Sequence, residues 1–135
     1  MKKLTRQWVR KAEADHVAAK TLARAKAPLN DVICFHCQQA TEKFLKALLQ
    51  ELGLTIARTH NLVDLLLQLL AAHPSLATLR RGVSFLTDFA VDSRYPGMTA
   101  SKRQATSALR WMDKLRTTAR KLLGLRPPRK PRKKS

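Results

Sequence analysis

Residues 34–49 read CFHCQQATEKFLKALL, and whether they form half of a metal knuckle or one helix with a polar stripe decides the fold. Cys34 and Cys37 stand at C-x-x-C spacing with His36 between them. A structural zinc usually takes four ligands, the second pair being Cys or His at defined spacing. The chain has no other cysteine, and His16, His60 and His73 form no recognisable ligand pair. The expectation is therefore two small, buried thiols and no metal; no cofactor is called for either. Read as a helix, the same letters align His36, Gln39, Lys43 and Lys46 along one face at steps of three, four and three, with Gln38 and Glu42 beside them. A solvated face is the plain alternative, and for Lys46 alone it is the better one. A histidine and two glutamines in the most apolar neighbourhood of the chain point instead to a polar groove at the edge of the core.

The same periodicity extends on both sides. Gly is scarce, while Ala and Leu dominate, a helical composition. In the first segment Leu4, Trp8, Ala12, Ala19 and Leu22 recur at three-to-four spacing up to Pro28. The second runs from about Asn30 to Leu52, with Ile33, Cys37, Phe44, Leu45, Leu48 and Leu52 on one side and Gly53 as its stop. A third is predicted from an N-cap near Thr59, with Leu62, Leu65, Leu66 and Leu69 inward before His73-Pro74. Leu76, Leu79, Val83, Leu86 and Ala90 mark a fourth. Beyond the break at Pro96-Gly97, a fifth follows with Ala105, Ala108, Met112, Leu115, Ala119 and Leu122. No stretch alternates as a strand would. The prediction is an all-α, up-and-down bundle of about five helices over residues 1–123, with short connections and no internal repeat.

Residues 124–135, GLRPPRKPRKKS, hold six cations, three prolines and no acid, so they are expected to form a disordered basic tail. The whole chain carries 27 Lys and Arg against 9 Asp and Glu over 135 residues, a formal charge of +18. Setting aside the six tail cations still leaves +12 on the body. Such an excess speaks for polyanionic partners: RNA, DNA, nucleotides or an acidic protein. No run of about 18 apolar residues exists, which excludes a membrane helix. The basic start MKKLTRQWVRKAEADH lacks the apolar block of a signal peptide, and two cysteines make no disulfide framework; both fit a cytoplasmic protein.

Three motifs carry a family resemblance. FHCQQATEKFLKALL, then RTHNLVDLL from Arg58 to Leu66, then SRYPG from Ser93 to Gly97 strongly resemble the HEPN domain (higher eukaryotes and prokaryotes nucleotide-binding). The first-helix stretch WVRKAEADHVAAKTLA from Trp8 to Ala23 fits as well, so that the likeness spans about residues 6 to 123. The resemblance implies a helical bundle that commonly dimerises and is often encoded beside a small nucleotidyltransferase; some members are RNases of toxin–antitoxin and other defence systems, others noncatalytic nucleotide or RNA binders. By position it places the family's second-helix histidine on His36 and its Q-x-x-E-K-x-x-K pattern on Gln39, Glu42, Lys43 and Lys46. Its Thr-His falls on Thr59-His60, and its Arg-Tyr-Pro on Arg94, Tyr95 and Pro96.

The RNase branch carries Arg-x(4–6)-His late in the chain, and after Arg94 no histidine follows. Arg10 and His16 match the spacing formally, but they lie in the first helix, where a six-residue step turns through roughly 600° and separates the side chains. Metal-free RNA cleavage needs a general base and a cation for the phosphorane. His36, His60, Arg58 and Arg94 have that chemistry, although His60 could simply bond a helix end, and Arg94 and Tyr95 could serve capping and packing. The candidate ligand-binding residues are thus His36, Gln39, Lys43, Lys46, Arg58, His60, Arg94 and Tyr95, with no catalytic residue assigned. The leading expectation is a homodimeric nucleotide- or RNA-binding module working with a nucleotidyltransferase. The alternatives are a metal-independent RNase toxin with a noncanonical site, and a structural dimer that binds nucleic acid nonspecifically.

Overall fold

The computed structural model describes residues 1–59, 61–92, 96–97 and 99–126. Helix α1 spans Lys3–Ala23, α2 Asn30–Glu51, α3 Leu62–Leu69, α4 Arg80–Asp92 and α5 Lys102–Leu122, with a 3₁₀ turn at Pro74–Leu79 ahead of α4. The described residues contain no strand, so the all-α bundle of five helices stands.

Helix α2 is the axis of the bundle. It packs on α1, α5, α3 and α4, and Phe44, Leu45, Leu48 and Leu49 on it are fully enclosed. Each such side chain contributes roughly 1.5–3 kcal/mol by leaving water. Around it gather Leu62, Leu65, Leu66 and Leu69 from α3, Leu86 from α4, and Met112 and Leu115 from α5. The expected core position Ala90 lies outside the described side chains.

Chain punctuation follows local chemistry. After α2, Gly53 takes φ +70°, the left-handed region that glycine enters without a Cβ penalty. The Leu54 N–H then donates to the Leu49 carbonyl and that of Gly53 to Gln50, a Schellman closure. Gly124 at φ +71° ends α5 in the same way, with Leu125 donating to Arg120 and Gly124 to Lys121. Residues 124–126 therefore fold back on α5, and an Arg120 Nη2 donates to the Arg126 carbonyl at 2.8 Å. Of the expected tail, 127–135 lie outside the described residues. At the start of α5, Ser101 and Gln104 form a reciprocal capping box.

Three local expectations differ from the structure. Thr59 is not the cap of α3: Asn61 is, its side chain accepting from the Val63 N–H at 2.9 Å. The Thr59 hydroxyl instead accepts from the Asn61 N–H and donates to Asp64, which sets up the turn before the helix. Leu76 and Leu79 belong to the 3₁₀ turn that Pro74 opens, not to α4: the Leu76 N–H closes on the His73 carbonyl three residues back at 3.1 Å, the tighter 3₁₀ spacing. Leu4 of α1 and Leu52, the C-cap of α2, are 53% and 38% exposed. The inward positions of α1 are Thr5, Val9, Ala12 and Ala19. Small residues there let α1 approach α2 closely, and the Thr5 hydroxyl is satisfied by Glu51 at 3.0 Å. That rotation carries Leu4 and Trp8 to the edge of the α1–α2 seam.

Candidate functional site

Helices α1 and α2 run antiparallel: Asp15 meets His36 and Lys43, Trp8 meets Lys46, and Thr5 meets Glu51. On α1 the residues Leu4, Trp8, Lys11 and Asp15 follow steps of four, three and four and so share a face. The polar stripe of α2 lies along it. The stripe is thus one wall of a seam whose other wall is the first helix.

Asp15 organises one end. Its Oδ1 is 2.9 Å from His36 Nδ1, and its Oδ2 accepts from Lys43 Nζ. The side chains are 12% exposed for Asp15, 25% for His36 and 22% for Lys43, so the charges interact with little screening by water. Against a carboxylate Nδ1 is the donor, which leaves His36 Nε2 as the ring nitrogen open to another partner. The Phe35 ring stands at 72° to the imidazole, with centroids 5.4 Å apart.

The rest of the stripe continues toward the α1 N-terminus. Gln39 donates to the Oε1 of Gln38 at 2.8 Å, which satisfies an amide that is nearly buried. Lys46 lies 3.7 Å from the Glu42 carboxylate and places its ammonium 5.3 Å from the centre of the Trp8 ring. Four of the eight predicted site residues, His36, Gln39, Lys43 and Lys46, are therefore partly buried along one face of α2, and His36, Lys43 and Lys46 meet residues of α1. Arg58 lies exposed in the connection between α2 and α3, and among the described residues no hydrogen bond or ion pair ties it to the seam. His60, Arg94 and Tyr95 lie outside the described residues. Sequence reasoning missed Asp15 and placed Trp8 in the core; the 4–8–11–15 spacing was visible, but nothing in it named the facing residues.

A second polar cluster joins α1 to α5. His16 Nε2 is 3.0 Å from Asp113 Oδ1, and Lys20 donates to Asp113 Oδ2 at 2.8 Å. Burial pushes the Asp113 carboxyl up, but the hydrogen bonds from His16 and Lys20 outweigh it and hold the group below the usual carboxylate range. One turn away, Glu13 receives Arg116 at 2.9 Å and Arg120 at 2.8 Å. Arg10 is exposed while His16 faces Asp113, so the formal Arg10–His16 match does not form a site.

The thiols of Cys34 and Cys37 are free and buried. Burial, with the Asp31 charge adding to it, pushes Cys34 up to about 12, and burial raises Cys37 as well; neither forms a thiolate near neutrality. Among the described residues no three His, Cys, Asp or Glu side chains are grouped to hold a metal ion. No helix among them is long and apolar enough to cross a membrane.

The family model of the HEPN domain matches residues 5–122. No curated protein matches the sequence. Among solved structures, an archaeal HEPN homologue, ST0689, superimposes with a TM-score of 0.74 at 24% identity, covering 91% of this chain and 99% of its own. TT1696 from Thermus thermophilus does so with a TM-score of 0.72 at 24% identity, covering 87% of this chain and 96% of its own. These likenesses concern the fold.

Proposed function

This chain belongs to the HEPN domain family, and from that premise we propose that it is a cytoplasmic binding module: a homodimer that holds a nucleotide or RNA along the α1–α2 seam and works with a nucleotidyltransferase, as in toxin–antitoxin systems. One observation carries the reading. Asp15 holds the partly buried His36 and Lys43, and further along the same α1–α2 contact Lys46 lies over the Trp8 ring. Cations held in place without full solvation suit a phosphate, and the Gln39 amide and His36 Nε2 suit the polar edge of a base or ribose. The +18 charge supplies long-range attraction for the same class of ligand.

The test separates the seam from the basic C-terminal residues. Binding of single-stranded RNA weakens with salt by a slope of about 0.7 per phosphate contact. Deleting residues 127–135, which hold five cations, should flatten that slope and leave nucleotide binding nearly intact. Lys43→Ala should do the reverse. If the deletion abolished both, the chain would be a structural dimer with nonspecific affinity for nucleic acid.

The Asp15–His36 pair supports a second reading, a metal-independent RNase, because a carboxylate on Nδ1 orients an imidazole to act as base through Nε2. The sequence lacks the late Arg-x(4–6)-His pair of the RNase branch, so little cleavage is expected in EDTA. Robust cleavage lost in His36→Ala would establish the enzyme instead.

A further inference from the structure

The two tryptophans each carry a lysine ammonium over the ring, Lys46 at 5.3 Å from the centre of Trp8 and Lys114 at 4.9 Å from that of Trp111. Their remaining surroundings differ. The Trp111 ring lies so close to Gly82 that a Cβ there would fall 2.1 Å from it; it is a packing element of the α4–α5 contact. Trp8 is half-buried and borders an open pocket of about 240 Å³ together with Leu4, Gln7 and Lys11. Lys46 is not among the residues that line this pocket.

The pocket combines an aromatic surface, an exposed apolar side chain, an amide able to donate and accept, and an ammonium. The acids nearest to it are engaged elsewhere. Asp15 binds His36 and Lys43, and Glu51 accepts from the Lys2 N–H and the Thr5 hydroxyl. Lys46 is paired with Glu42 at 3.7 Å, so among the described residues lining the pocket the charge without a carboxylate partner is the ammonium of Lys11. Rings that offer a π-face beside cations hold the bases of phosphate-bearing chains, because every base has a face to stack and a phosphate to neutralise.

We infer that Trp8 is a base-stacking platform: a nucleobase enters the pocket lined by Leu4, Gln7, Trp8 and Lys11, with its phosphate against Lys11. The inference rests on the binding reading above and names the end of the seam that takes the base. A free nucleotide and a single-stranded RNA offer the same ring, and the experiment distinguishes them.

The full chain is titrated with ATP and, separately, with an oligouridylate, followed by tryptophan fluorescence and by anisotropy of a labelled oligonucleotide. Bound ligand should quench the emission that Trp8→Phe removes. Trp8→Leu should weaken binding about tenfold while Trp8→Phe stays within about threefold, as expected when a stacking ring is lost or kept. Response to ATP identifies a nucleotide site, and response to the oligouridylate alone identifies a strand site; either supports the platform. Undiminished binding by Trp8→Leu overturns it and leaves the binding module standing. So does equal weakening by both variants with a lowered melting temperature, which marks Trp8 as packing only. If neither ligand binds the unmodified chain, both readings fall.

Discussion

Asp15 on α1 holds His36 on α2 through Nδ1 at 2.9 Å, and the same carboxylate accepts from Lys43, two helical turns further along α2. One acid thus orients two of the predicted site residues and ties the first two helices together. Replacing it by the isosteric amide in Asp15→Asn should cost about 2 kcal/mol, the scale of a hydrogen bond to a charged group in a partly buried setting. Thermal melting followed by circular dichroism should show a drop of several degrees. A loss at the level of an exposed ion pair, below about 0.5 kcal/mol, would mean that the seam is open to water.

Gly82 lies under the Trp111 ring, where an added Cβ would approach to 2.1 Å. Gly82→Ala should destabilise the chain by about 1–3 kcal/mol through overpacking, despite alanine's better helix propensity. Combining it with Trp111→Leu should cost less than the sum of the two single changes. Additive costs in denaturant unfolding would show that the ring and the glycine do not press on one another.

Asp113 has its folded-state pKa lowered, burial opposing and the His16 and Lys20 hydrogen bonds prevailing. A lowered carboxyl contributes stability that is fully present above its unfolded value, about 3.9, and lost as pH falls through the folded value. The unmodified chain should therefore lose stability below about pH 4, and Asp113→Asn should do so less steeply. Parallel stability curves for the two proteins between neutrality and strong acid would remove Asp113 from the account.

Cys34 and Cys37 are buried with their thiols shifted upward, Cys34 to about 12. A disulfide-exchange reagent at pH 8 should leave both untouched in the native protein and modify both in guanidinium, since only thiolate reacts. Rapid native-state labelling would place the N-terminal half of α2 at the surface rather than in the core.

The helices and their stops could be read along the chain because both arise from neighbours in sequence. Gly53 ends α2 with its left-handed φ, and Phe44, Leu45, Leu48 and Leu49 form the buried stripe that the spacing implies. The stripe His36–Gln39–Lys43–Lys46 was legible for the same reason: one residue every 100° fixes which side chains share a face. The start of α3 was misjudged by two residues, since Thr59 and Asn61 are both competent caps and the choice falls to how Thr87 of α4 receives the Leu62 N–H at 3.0 Å.

Periodicity says which residues share a helix face, but it cannot say which helix covers that face or at what height. Composition and spacing alone determined that this chain is a basic all-α bundle with a polar stripe on its second helix. That Asp15 faces the stripe, that Trp8 sits beside Lys46 instead of in the core, and that Gly82 underlies Trp111 were decided by tertiary packing. Small residues at Thr5, Ala12 and Ala19 let α1 settle against α2 at one rotation, and a turn of about 100° per residue converts that rotation into a choice of partners.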